Sequence, residues 1–181
     1  MSEMSLGLSA VALPGAKPEA KRYFFDVSMS KLIVMSLFTL GLYEIYWFYK
    51  NWQLAKQRGQ AVSPALRALF SIFFVIPLLR EIREIARSVQ TGTTMSPGSV
   101  GGLFIVLAFA WRLPKPFWLI GYASVIPLAI AQGEVAKIHR ALGLDPTVNN
   151  RYSWKNIVGI VIGGLIHTLA IIGFFLPDAP A

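Results

Sequence analysis

Apolar positions along this chain come in long blocks. They do not alternate singly with polar ones, as they would on half-buried strands. A membrane-crossing helix needs about 20 mostly apolar residues. The first block, Lys31 to Tyr49 (KLIVMSLFTLGLYEIYWFY), has that length, and Ser28 or Ser30 can cap its start. The second follows Ser63-Pro64, a capping residue with a first-turn proline. Its apolar stretch runs only from Ala68 to Leu79 before Arg80, Glu81, Arg83, Glu84 and Arg87 arrive at helical spacing. The third, Val100 to Trp111, is equally short and lies between Pro97 and Pro114. The fourth, Phe117 to Gln132, is nearly full length and contains Pro127, and the fifth, Ile157 to Leu176, is a full span stopped by Pro177. The two short blocks fit either re-entrant or interfacial segments, or crossings in which Arg67 and Arg80 extend their stems toward the surface.

Composition turns this pattern into a class. Of 181 residues, 55% are hydrophobic and 14% charged, with mean hydropathy +0.55. Soluble domains are roughly 45–50% apolar and about 25% charged, so the surplus apolar surface must meet lipid. The expected fold is all-α: a polytopic integral membrane bundle of four or five apolar helices, some of them re-entrant. Residues 1–22, broken by Pro14, Gly15 and Pro18 and without a basic leader pattern, read as a flexible tail, and residues 23–181 as a single transmembrane helical domain. There is no Cys, which removes disulfides, thiol catalysis and Cys-ligated metals. The chain has no G-x-S-x-G, no phosphate-loop motif and no H-E-x-x-H, and its two histidines lie on different blocks. The expectation is therefore no enzyme, no cofactor and no metal.

The net charge is +8, and the cations sit at the ends of apolar blocks, which points to a membrane protein and away from nucleic acid. If all five blocks cross, Lys and Arg favour a cytoplasmic N-terminus and an outer C-terminus. One loop resists that assignment: Lys50, Lys56, Arg58 and Arg67 would face outward with no acid among them. VIPL occurs twice, at 75–78 and 125–128, each time after a proline-started segment, so a duplicated unit competes with chance.

Several residues are candidates for chemistry. Glu44 and His167 fall inside apolar blocks, where an ionisable group marks a function by default. They stand roughly 20 Å and 17 Å along their helices, so they can meet as an intramembrane polar site. The alternatives are a solvated Glu44 at the interface and a His167 bonded to a neighbouring helix. Arg80, Arg83 and Arg87, with Lys137, Arg140, Arg151 and Lys155, form candidate headgroup-binding patches, the first of them partly neutralised by Glu81 and Glu84 at helical spacing. Tyr43, Tyr46, Trp47, Tyr49 and Trp52 read as interfacial anchors. Gly159 and Gly163 give a small-residue helix face for close packing, within the chain or between copies.

The stretch Phe24 to Trp52 resembles a family of small bacterial integral membrane proteins of unassigned function. That family is marked by a helix ending in T-L-G-x-Y-x-x-Y-W-x-Y, here Thr39, Leu40, Gly41, Tyr43, Tyr46, Trp47 and Tyr49. The resemblance covers about the first third to half of the chain. It implies a multi-pass protein of the bacterial inner membrane and supplies no activity, ligand or catalytic residue. The expected role is a non-enzymatic membrane component that binds lipid or a protein partner, or forms a homo-oligomer, with no nucleic acid involved. The alternative is a small transporter or channel subunit using Glu44 and His167.

Overall fold

A computed structural model describes residues 22–144 and 149–175. Pro177 and the expected tail, apart from Arg22, lie outside the described residues. Among those described there is no strand. The α-helices are α1 (Met29–Phe38), α2 (Leu42–Gln57), α3 (Pro64–Leu69), α4 (Ser71–Ser88), α5 (Pro97–Phe109), α6 (Val125–Ala141) and α7 (Trp154–Phe175). Two short 3₁₀ segments, Ala110–Arg112 and Phe117–Ser124, join α5 to α6.

The all-helical fold is as expected, but the count of long apolar helices is smaller. Among the described residues, only Phe117–Ala141 and Trp154–Gly173 are by themselves long and apolar enough to cross a membrane. The first apolar block breaks in the middle. α1 starts where Ser28 caps the amide of Lys31 and ends at Phe38. Leu40 and Gly41 then take left-handed φ of 53° and 81°, and the Thr39 hydroxyl accepts from Tyr43 N while donating to Met35 O. This turns the chain back. Asn51 on α2 accepts from the amide of Phe25 at 3.0 Å, Tyr46 meets Phe25 edge-on, and the Arg58 guanidinium reaches the carbonyl of Tyr23. The block is a helical hairpin whose two ends lie together.

Gly41 has open space around its Cα, so Gly41→Ala isolates backbone strain from packing. A left-handed residue with a Cβ costs about 1–2 kcal/mol. A thermal melt in micelles should show a destabilisation of that order. An unchanged midpoint would mean the turn tolerates another conformation.

The other blocks follow the same logic of reversal. Ser63 and Pro64 start α3 as expected, but the helix breaks at Phe70 (φ −98°, ψ 39°) before α4 begins. α4 runs in the direction of α2, since Phe74 meets Trp52 and Glu81 meets Arg58. α5 returns against it with Gly101 under Ile76, where a Cβ would come within 2.5 Å of that side chain. A turn at Pro114–Pro116 then sends the chain back, and Trp111 lies flat on Gly121. α6 climbs antiparallel to α1, with Gly133 beside Met29, and brings His139 to Asp26. α7 runs parallel to α1: Lys31 faces Arg151, Gly159 faces Met35 and Thr39, and Gly163 faces Phe38.

These pairings define two ends. The proximal end gathers Arg22, Lys31, Lys56, Arg58, Arg140, Arg151 and Lys155. The distal end holds the turn at residues 39–41 and the α5–α6 tip, with Arg112 and Lys115. Trp47, Trp52, Phe48, Leu32, Leu78, Leu128 and Ile138 fill the core between them. The two VIPL copies fall on α4 and α6, which pack together and run the same way, but the first lies on the second turn of α4 and the other on the first turn of α6. Val75 and Leu78, like Val125 and Leu128, are buried. α7 packs chiefly on α1, touching the Phe117–Ser124 segment through His167, and only 6% of its apolar span is buried.

Candidate functional site

Glu44 and His167 do not meet. Each is held instead by the 3₁₀ segment Phe117–Ser124. The Ser124 hydroxyl donates to both Glu44 carboxylate oxygens, at 2.9 and 3.1 Å, in a buried contact. Two residues earlier, Tyr122 OH lies 2.6 Å from Nε2 of His167. The Gly163 carbonyl, 2.6 Å from Nδ1, can only accept, so in the neutral ring Nδ1 carries the proton and Tyr122 donates to Nε2. His167 thus closes a packed seam where Phe38, Tyr122 and its own helix converge. Glu44 is buried and has no cation within ion-pair distance among the described residues. The expected Glu–His site is corrected to two separate polar contacts, both made by one turn of chain. Tyr122 and Ser124 gave no signal in the sequence, because a hydroxyl in an apolar block looks like any other.

The aromatic belt is also corrected. Trp47 and Trp52 are fully buried inside the protein, and Tyr43 is buried too, so none of the three can sit at a lipid–water boundary. Trp47 Nε1 donates to Gln132 Oε1 at 2.8 Å. Trp52 packs against Phe74 with the Arg67 guanidinium 4.4 Å from its ring centroid. Tyr46 and Tyr49 remain exposed, as anchors must be. A second aromatic cluster, Trp111, Trp118 and Tyr122, lies at the distal end, with the two indoles stacked at 5.9 Å.

The candidate headgroup residues divide. Glu81 pairs across the fold with Arg58 and Gln60, and not along its own helix with the arginines of α4. Lys137 pairs with Glu134 at 2.8 Å, and Arg140 reaches back to the carbonyl of Ala136. Arg80, Arg83 and Arg87 stay on α4, apart from the α7 group. Arg151 and Lys155, by contrast, line one cavity of about 450 Å³ at the proximal end, together with Lys31, Tyr43, Tyr46 and Asn156.

Lys31 is the residue that sequence reasoning passed over, having marked it only as the start of a block. It is 4% exposed. Its ammonium donates to Asn149 Oδ1 at 2.7 Å and to the carbonyl of Arg151 at 2.8 Å, and it lies 5.8 Å from the Tyr152 ring centroid. No carboxylate among the described residues pairs with it. Burial pushes its pKa below the ordinary lysine value. The only available signal was a lone lysine immediately inside an apolar block, which is an unusual place to leave a charge without a purpose.

Gly159 and Gly163 do pack closely, and the partner is α1 of the same chain. No group of three or more His, Asp or Glu gathers for a metal among the described residues. No protein-family model, curated protein or solved structure matches the chain. Fold and site together define an all-helical chain with two helices of membrane-crossing length and a cation-lined cavity at one end.

Proposed function

We propose that the chain is a non-enzymatic, multi-pass component of the bacterial inner membrane that binds lipid at its cytoplasmic face. The observation that carries this is the asymmetry of its cations. Of the lysines and arginines among the described residues, Arg112 and Lys115 are the two at the distal end. Cytoplasmic loops collect Lys and Arg in this manner. The hairpin fold of α1 and α2 removes most of the earlier conflict, because Lys50, Lys56 and Arg58 return to the side of the N-terminus, while Arg67 on α3 stacks on Trp52 and Phe74.

In this reading α1 and α2 form a re-entrant hairpin. α1 has 10 residues and penetrates about 15 Å, half the hydrocarbon thickness. The run from Phe117 through α6 crosses, as does α7, and α5, shorter than a full span, crosses together with the 3₁₀ segment Ala110–Arg112 that continues it. The N-terminus is then cytoplasmic and the C-terminus outside. The Trp111–Trp118 stack lies at the distal tip, from which the long basic stem of Arg112 reaches toward the outer boundary. The resemblance carried by Thr39, Gly41, Tyr43, Tyr46, Trp47 and Tyr49 supports the same membrane. Transport through Glu44 and His167 is the weaker reading, since Ser124 holds the one and Tyr122 the other. A protein partner or a second copy on the exposed face of α7 is compatible with lipid binding.

The absence of native Cys makes sidedness measurable. Single cysteines at Gln60, Ser96 and Asn149 should react only with a reagent on the cytoplasmic side, and those at Lys115 and Ala179 only from outside. Outward labelling of Gln60, or labelling of Lys115 from the cytoplasmic side, overturns this topology.

A further inference from the structure

We propose that the cavity between the α1–α2 hairpin and the start of α7 binds a single phosphate-bearing anion through Lys31, Arg151 and Lys155. The inference rests on the lipid-binding reading above and names its ligand class. Lys31 is a buried charge that lacks its complement among the described residues. Taking an ammonium out of water costs several kcal/mol unless an opposite charge and good hydrogen bonds offset it. Lys31 has the hydrogen bonds and, among the described residues, no carboxylate. Two more cations, Arg151 and Lys155, face the same space and also have no ion-pair partner there. Three cations around one cavity repel each other, and an anion between them relieves all three.

The donors suit a tetrahedral oxyanion. Two of the three ammonium hydrogens of Lys31 are spent on Asn149 and Arg151, which fixes the head and leaves one to give. Arg151 brings a fork that grips two oxygens at once. The start of α7 is already capped within itself, with Ser153 N donating to Asn156 Oδ1 and Asn156 N donating to Ser153 Oγ. Affinity must therefore come from the side chains. The volume is near the lower bound for small-molecule sites, which run roughly 300–1,000 Å³. That admits a phosphate-bearing headgroup. Tyr46 lines the cavity and the exposed Trp154 opens α7 beside Lys155, an aromatic setting that suits the depth of lipid phosphates.

The test uses the full chain in neutral detergent micelles, titrated with short-chain phosphatidylglycerol, with phosphatidylcholine and with inorganic phosphate, read by native mass spectrometry and thermal shift. Phosphatidylglycerol should bind, and phosphatidylcholine should bind at least about tenfold more weakly. Arg151→Gln/Lys155→Gln should lose about tenfold or more in affinity for phosphatidylglycerol. Lys56→Gln/Lys115→Gln removes the same charge elsewhere and should stay within about twofold. Lys31→Gln should abolish binding; because Lys31 is buried, the exposed pair Arg151 and Lys155 decides the matter if that variant does not fold. Wild-type binding by Arg151→Gln/Lys155→Gln, or an equal loss in Lys56→Gln/Lys115→Gln, overturns the site. Inorganic phosphate binding as tightly as the lipid, with the same dependence on Arg151 and Lys155, upholds the site and makes its ligand a soluble phosphate. The membrane reading is judged separately, by retention on phosphatidylcholine vesicles through an alkaline wash.

Discussion

Gly163→Ala is expected to unseat α7 from α1, while Gly159→Ala, one helical turn away, is expected to be tolerated. A Cβ on Gly163 would overlap the carbonyl oxygen of Phe38. That oxygen belongs to the backbone at the end of α1 and cannot swing aside as a side chain would. Overpacking of this kind costs roughly 1–3 kcal/mol, more when backbone must move. The loss spreads, because the Gly163 carbonyl also receives His167 Nδ1–H, and His167 in turn holds Tyr122. At Gly159 the added methyl meets Thr39 Cγ2 at 3.7 Å and Met35 Cε at 3.9 Å, which are ordinary contacts. There alanine gains about 1 kcal/mol of helix propensity over glycine. Thermal unfolding in micelles, together with disulfide trapping between cysteines placed on α1 and α7, would report both effects. Equal behaviour of the two variants would refute the α1–α7 seam.

Trp47→Ala should cost about 3–5 kcal/mol, the range for emptying a large aromatic site in a packed core. Trp47 is 0% exposed and lies edge-on to Phe48, which in turn meets Phe104 on α5. Trp47→Phe keeps most of the apolar volume but strands Gln132 Oε1 without its donor, a cost of about 1–3 kcal/mol. Adding Gln132→Leu to that variant should recover part of the loss, and a double-mutant cycle would isolate the pair. An interfacial anchor would behave otherwise. At the membrane surface Trp47→Tyr would be nearly silent, and Gln132 would have no bearing on it.

Trp47 also marks where sequence reading reaches its limit. A tryptophan near the end of an apolar block suits a lipid boundary and a protein core equally, since both want a large ring with one polar atom. In the core its indole N–H is paired by Gln132, 85 residues away. The hairpin was equally hidden. Nineteen residues from Lys31 to Tyr49 have the hydropathy of one crossing, and hydropathy is a sum over residues that carries no sense of direction. The local trace was Thr39-Leu40-Gly41, where the hydroxyl and the left-handed glycine reverse the chain. The Arg80–Arg87 run illustrates a third case. Its helical spacing allows ion pairs along α4, but Glu81 finds Arg58 and Gln60 instead, because α2 and α4 lie side by side.

Some of this protein is written in one dimension. Ser28, Ser63 with Pro64, and Ser96 with Pro97 set helix starts through local backbone chemistry. The apolar blocks set the all-helical fold and the two crossing-length stretches, because transfer to an apolar medium adds residue by residue. Tertiary structure alone decided which blocks double back, which aromatics are core, and that Lys31 stands with Arg151 and Lys155 around one cavity. Those outcomes depend on pairings between residues as far as 120 positions apart, and no local sum of propensity or hydropathy contains the position of a distant partner.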